Sequence, residues 1–206
     1  AAFIPPGRSQ PVLEGLTFKL EAGEALGVVG PTAAGKSTLA RLLVGVYPPT
    51  KGEVRIDGAS AFAWARGSLG RFLGYLPQDV ELFPGTVAEN IARFCDIESE
   101  AVVAAAKLAG VHETILALPQ GYETGIGRHG TALSGGQKQL IALARAVYGV
   151  PSLVVLDEPN SNLDSSGEMK LAECMQRLKE ARSTVVVISH RATALHAVDK
   201  ILLLQE

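Results

Sequence analysis

The sequence predicts an α/β fold with a mostly parallel central sheet, a small N-terminal antiparallel β part and an inserted helical subdomain. Three observations predict it. Ala25–Val29, Leu153–Leu156 and Val185–Ile188 are short, uninterrupted apolar runs, as expected of strands covered on both faces. Helical patterns separate the later runs, which is how parallel strands are connected. Between residues 86 and 118 the strand signal nearly vanishes, and alanine and other helix formers take over.

In chain order, Val12-Leu13, Leu16–Leu20 and Ala25–Val29 read as β structure, with a turn at Glu21–Glu24. Leu39, Leu42, Leu43 and Val46 recur at i, i+3, i+4, i+7 and predict a helix over Lys36–Val46, ended by Pro48-Pro49. Glu53–Asp57 is a short strand before Gly58. Ala101–Leu108 is the clearest helix of the inserted part. Gln137–Tyr148 is a further helix with Leu140, Leu143, Ala144 and Val147 on one face, closed by Gly149 and Pro151. A helix over about Glu168–Glu180 separates the last two apolar strands.

Composition narrows the function classes. The chain has 206 residues, enough for one domain or a compact pair of subdomains with a sizeable core. Nineteen Lys and Arg against 21 Asp and Glu give a formal charge of −2, so no basic surface argues for nucleic acid. An anionic ligand would have to be held by local geometry. Cys95 and Cys174 have no metal-ligand spacing and read as reduced core thiols. No apolar run reaches the roughly 18 residues of a spanning helix. The chain opens without methionine and stops just after a strand-like run, so both ends are expected to be cuts in a longer polypeptide.

The chemistry is concentrated in five short segments. Gly30, Pro31, Thr32, Ala33, Ala34, Gly35, Lys36 and Ser37 match G-x-x-x-x-G-K-[S/T], with a strand before and a helix after, and Thr38 next to them is a further candidate for binding nucleotide. Glycines let successive N–H groups point into one concavity, and the helix N-terminus adds a favourable dipole for phosphate. Lys36 would reach the β and γ phosphates of a nucleotide such as ATP, and the Ser37 hydroxyl would ligate Mg2+. Leu153–Glu158 puts two carboxylates directly after a buried strand, where α/β sheets bind ligands. Asp157 would hold the magnesium shell and Glu158 would act as general base on water. Ser134, Gly135, Gly136 and Gln137 precede an apolar helix. Ser-x-x-Gln is a capping box, but capping does not require the two glycines, whereas close approach of a phosphate does. Gln78 follows a short apolar run and His190 ends the strand Val185–Ile188; both depend on the other motifs for a role. His112, His129 and His196 lack such placement and read as surface or structural.

Taken together, the ordered motifs resemble the nucleotide-binding domain of ABC transporters over nearly the whole chain, residues 1–206, with Leu133–Gln137 as the family-specific element. The resemblance implies a core with its β part at 1–85 and 150–206, a helical subdomain at about 86–149, and a transmembrane region upstream. It makes Asn160–Asp164 the D-loop, with Asp164 near nucleotide, Gln78 a contact of magnesium and water, and His190 a sensor of the γ-phosphate. It also implies a homodimer in which Ser134 and Gly136 of one copy close on ATP held by the other.

Gly85–Ile91 after Gln78 resembles exporters, and Tyr75–Gly85 with Glu158–Asp164 resembles type I secretion ATPases of the protease-exporter kind. That group implies a fused transmembrane domain, a membrane-fusion protein, an outer-membrane channel and a place on the cytoplasmic face of a bacterial inner membrane. An exporter of lipids or small molecules and a soluble nucleotide-gated clamp are the alternatives.

Two departures from the pattern stand out. Exporters usually stack adenine on an aromatic near where Ile4-Pro5-Pro6 stands; Phe3 is the nearest aromatic and is out of register. They also often carry a glutamate where Gly127-Arg128-His129-Gly130 stands, so Arg128 reverses a charge.

Overall fold

The computed structural model describes residues 1–5, 10–64, 66–127 and 132–205. Among the described residues five strands form the central sheet: β1 (Ala25–Val29), β4 (Leu73–Leu76), β7 (Leu153–Asp157), β8 (Thr184–Ile188) and β9 (Lys200–Leu203). Their order is β4-β7-β8-β1-β9, and every neighbouring pair is parallel. Two small antiparallel pairs lie outside it, β2 (Arg55–Ile56) with β3 (Ala59–Ser60), and β5 (Gly85–Thr86) with β6 (Gly125–Ile126). The predicted fold class is therefore present.

The uninterrupted apolar runs have a direct explanation in the packing. Successive strand residues point to opposite faces. Val154, Leu156, Val185 and Val187 enter one core with the helices α3 (Val87–Ile91), α4 (Ser99–Leu108), α6 (Gly135–Val147) and α7 (Ser165–Glu180). Val155, Val186 and Ile188 enter a second core with Leu39, Ala40 and Leu42 of α1 (Lys36–Leu43) and with Phe3 and Leu13. Both faces are covered, so neither can be polar. Short helices α2 (Arg66–Leu69), α5 (His112–Leu116) and α8 (Ala192–Leu195) complete the connections.

Helix boundaries follow their caps. Thr86 accepts the Glu89 N–H at 3.0 Å while the Glu89 carboxylate accepts the Thr86 N–H, a capping box that starts α3. Asp164 accepts the Gly167 N–H at 2.8 Å and starts α7. The helix predicted over Lys36–Val46 ends at Leu43, and Gly45 takes a left-handed φ of 74° just beyond it.

Two expectations are corrected. Leu16–Leu20 forms no strand; Thr17, Phe18 and Lys19 are exposed, and the segment's apolar–polar alternation is spent on packing Leu16 and Leu20 beside the second core. Cys95 is exposed, whereas Cys174 is fully buried in α7 and burial pushes its thiol up to about 12. Both cysteines are free. The reading of Arg128 and His129 falls outside the described residues, as does Pro6.

The lateral join of β1 to the end of the chain has a titratable element. The Asp199 carboxylate accepts the Ala25 N–H at 2.7 Å and the Lys179 ammonium at 2.9 Å, and these hold it below its ordinary value. A carboxyl whose folded value is lowered adds stability above its unfolded value of about 4 and loses that contribution as pH falls through the folded value. Asp199→Asn is thus expected to be less stable than wild type at pH 7, with the gap closing in acid, as read by urea denaturation at a series of pH values. A gap that is constant across the series would remove the charge from this role.

Candidate active site

Because the strands are parallel and in register, their C-terminal ends meet at one edge. Leu76 lies beside Leu156, Asp157 beside Ile188, and Val28 beside Ile188. The residues that follow are thereby gathered: Gly30 after β1, Gln78 after β4, Glu158 after β7 and His190 after β8. A cavity of about 260 Å³ sits there, lined by Val12, Thr32, Ala33, Gly35, Lys36, Ser37, Thr38, Gln78, Asp157 and Glu158. This is the crevice in which open α/β sheets bind ligands.

The loop from Gly30 to Gly35 is shaped by backbone, not side chains. Ala33 and Gly35 have φ of 69° and 89°, in the left-handed region. A Cβ on Gly35 would lie 2.7 Å from Leu13 Cδ2 and 3.0 Å from the Val12 carbonyl, so only glycine fits. Helix α1 begins with no side-chain cap and no acid in its first turn, leaving its first N–H groups and its dipole to an outside anion. The Lys36 ammonium folds back over the loop and donates to the Gly30 and Pro31 carbonyls, each at 2.8 Å.

The two carboxylates at the end of β7 differ in environment. Asp157 is 1% exposed, and its Oδ1 has no hydrogen-bond partner among the described residues. Burial raises its carboxyl above the ordinary value; the Ser37 hydroxyl offsets part of this and the charge of Glu158 adds to it. Glu158 has a left-handed φ of 49°, and its N–H donates to the Ile188 carbonyl at 2.9 Å. That turn aims its carboxylate at His190 Nδ1, 3.1 and 3.2 Å from the two oxygens. The histidine itself is 77% exposed. Ser37, Gln78 and Asp157 offer only oxygen donors, the set a hard divalent cation takes. Among the described residues no group of three His, Cys, Asp or Glu side chains forms a self-sufficient metal cage. A cation here would need oxygens from its ligand as well.

Ser134, Gly135, Gly136 and Gln137 are absent from the lining of this cavity. The capping box expected there is present: Ser134 Oγ accepts the Gln137 N–H at 3.2 Å and Gln137 Oε1 accepts the Ser134 N–H at 2.8 Å. A Cβ on Gly135 would meet nothing closer than 3.5 Å, so the chain itself does not demand glycine there. Asp164 is spent on capping α7.

Phe3 is 5% exposed and stacks on Tyr47, with ring centroids 5.1 Å apart and planes 8° off parallel. It belongs to the second core, and the cavity wall on that side is the aliphatic Val12.

Apart from Asn160, which opens the segment Asn160–Asp164, the following partners were not singled out from the sequence. Gln139 of α6 is buried and donates to the Pro159 carbonyl at 2.9 Å, tying α6 to the turn after Glu158. Asn160 accepts the Ser189 hydroxyl at 3.1 Å, and that hydroxyl accepts the Arg191 N–H. Glu168 of α7 accepts Arg191 and Thr193, linking α7 to the segment after His190. A polar Gln139 on the buried face of an apolar helix was the one visible signal among them. His112 is structural, with Nδ1 2.8 Å from the Tyr122 hydroxyl, and His196 is exposed.

A phosphate loop between strand and helix, with paired acids at the end of a second parallel strand one removed in the same sheet, defines the class: a P-loop nucleotide-binding α/β protein. The chain belongs to the ABC transporter family, whose model matches residues 13–161. Family membership makes it a nucleotide-binding ATPase domain of the ABC transporter kind. It is 52% identical over 203 residues to the type I secretion system ATP-binding protein PrsD of Rhizobium meliloti (strain 1021), covering 98% of this chain and 35% of that protein. It is 42% identical over 200 residues to the uncharacterized ABC transporter ATP-binding protein YfiC of Bacillus subtilis (strain 168), covering 96% and 33%. Among solved structures, a bacterial Atm1-family ABC exporter with ATP bound superposes with a TM-score of 0.88 at 38% identity, covering 99% of this chain and 36% of that one. The chain thus spans about a third of the length of these relatives. No described helix is long and apolar enough to cross a membrane.

Proposed function

We propose that this chain is the ATP-hydrolysing motor of a type I protein exporter and that it works as a head-to-tail pair of copies. The observation that carries the pairing is the separation of the motifs: the phosphate loop and both acids line one cavity, and Ser134–Gln137 lie outside it. The 52% identity to PrsD carries the export class.

In this reading the loop N–H groups and the start of α1 hold the phosphates, and Lys36 leaves the Gly30 and Pro31 carbonyls to bind them. The unpartnered Oδ1 of buried Asp157 fits a divalent cation, with Ser37 and Gln78 completing the protein's share of the shell. Mg2+ bound there would neutralise phosphate charge. Glu158 Oε takes a proton from the attacking water, and His190 orients that carboxylate through its Nδ1 contact. Ser134 and the glycine-bearing N-terminus of α6 close on the nucleotide of the second copy. The motion passes through the Gln78–Ile91 region to a fused transmembrane domain on the cytoplasmic face of the inner membrane. A membrane-fusion protein and an outer-membrane channel complete the path. The likeness to the Atm1-family exporter supports a second reading, the same motor in an exporter of another cargo class.

Mixing two inactive variants tests the pairing. Lys36→Ala disables the phosphate loop, and Gly135→Val blocks the helix start at a position where a Cβ meets nothing closer than 3.5 Å. Each is expected to be inactive alone. In a mixed head-to-tail pair both lesions fall in one site and the other site is intact, so phosphate release returns. No return on mixing would leave each copy a self-contained site and overturn the pairing. For the export class, the full-length protein carrying Lys36→Ala should lose a secreted protein from the medium; loss of a lipid or small molecule instead would favour the second reading.

A further inference from the structure

Arg93 follows α3 in a turn that no motif accounts for. Arg93 and Phe94 both adopt left-handed φ, 59° and 56°, a conformation that side-chain-bearing residues rarely take twice running. The turn sends the guanidinium inward, and its hydrogen bonds among the described residues all go to main-chain carbonyls, from two places. Nε donates to the Arg145 carbonyl at 2.9 Å, and Nη2 to those of Ala146 and Tyr148 at 3.0 and 3.4 Å. Nη1 donates to Gly70 and Leu73 at 2.7 and 3.0 Å.

Arg145, Ala146 and Tyr148 are at the C-terminal end of α6, where carbonyls lack helical partners and the dipole is negative. Gly70 and Leu73 are at the root of β4. The two elements also touch directly: a Cβ on Gly74 of β4 would lie 2.1 Å from the Ala146 carbonyl oxygen. Space alone could be filled by an apolar side chain at less desolvation cost. What a guanidinium adds is a fork of fixed geometry that joins two segments.

Those segments lead to the two halves of the proposed machinery. Helix α6 opens at Ser134 and β4 runs out to Gln78. The chain beyond Gln78 returns to the same place. Arg145 donates to the Glu81 carbonyl at 3.0 Å and lies over the Phe83 ring, and Asn90 holds the Phe83 N–H and carbonyl at 2.9 Å each.

We propose that Arg93 is a positioning residue that clamps the C-terminal end of α6 to the root of β4, so that the Ser134 end of α6 and Gln78 respond to nucleotide together. This rests on the motor reading above.

The test compares Arg93→Met and Arg93→Lys in the intact protein, with ATP binding, phosphate release per folded molecule and amide exchange measured on each. Lysine keeps the charge but presents its donors from one point and cannot bridge the two segments. ATP Kd is expected within about twofold of wild type, while kcat falls about tenfold in the Met variant and less in the Lys variant. In wild type, ATP should protect residues 78–85 and 134–137 from exchange at matching concentrations; in the variants the two protections should separate. If the Met variant does not fold, the Lys variant carries the same comparison. An unchanged kcat per folded molecule with the two protections still matched overturns the clamp, as does a parallel loss of Kd and kcat, which would place the damage in the pocket. The exchange readout needs no turnover, so a wild type that binds ATP without hydrolysing it would sink the motor reading and leave the clamp decided on its own evidence.

Discussion

Replacing Glu158 by glutamine is expected to leave ATP binding intact, to lower turnover by about 10²- to 10⁴-fold, and to accumulate a dimer locked on ATP. Glutamine keeps the size of the side chain, the left-handed turn and the N–H donated to Ile188. It can still accept a hydrogen bond from His190, so the local geometry survives. What it cannot do is take a proton from water. Binding and chemistry therefore separate in this variant, and the pair that ATP closes has no route to reopen. Phosphate release together with size-exclusion chromatography in ATP would read both effects. Wild-type turnover in this variant would remove Glu158 as the base.

The second large effect is expected at Lys36. Among the described residues its ammonium is the one cation in the wall of the cavity, and two carbonyls of the loop hold it there ready to transfer to phosphate. Lys36→Ala should weaken ATP binding by about 100-fold, equivalent to roughly 3 kcal/mol, within the range for removing one partner of a charge-assisted contact. Stability should change little, because α1 is anchored by Leu39, Ala40 and Leu42 and not by Lys36. Titration calorimetry gives the first quantity and thermal melting the second. An ATP affinity within about threefold of wild type would show that the backbone of the loop suffices without the lysine.

The two predictions draw on parts of the site that were readable to different degrees. The phosphate loop was fully legible because its chemistry is local: eight consecutive residues between an apolar run and an amphipathic helix carry geometry, charge and hydroxyl together. The acids at 157 and 158 were legible for the same reason, at the end of an apolar strand. Their difference was not. That Asp157 is buried with an orphaned oxygen while Glu158 turns out toward His190 depends on strands β7 and β8 lying side by side. The capping box at Ser134 was read correctly, but the freedom of space around Gly135 could be measured only against Asn162 in three dimensions. The strand expected over Leu16–Leu20 shows the opposite failure, in which alternation was present but no neighbour came to pair with it.

By itself the sequence determined the fold class, the order of the motifs and the chemical type of the ligand. Periodicity, glycine placement and the run of Gly-Lys-Ser act over a few residues, and their physics is complete within that span. Only the tertiary structure decided which strands are neighbours, that Phe3 is spent on Tyr47, that Gln139 reaches the Pro159 carbonyl and that Arg93 joins α6 to β4. Three of those are contacts of one side chain with another element far away in the chain. Where the partner is a main-chain carbonyl, as for Gln139 and Arg93, every residue type offers the same acceptor, so no pattern of residues can announce it.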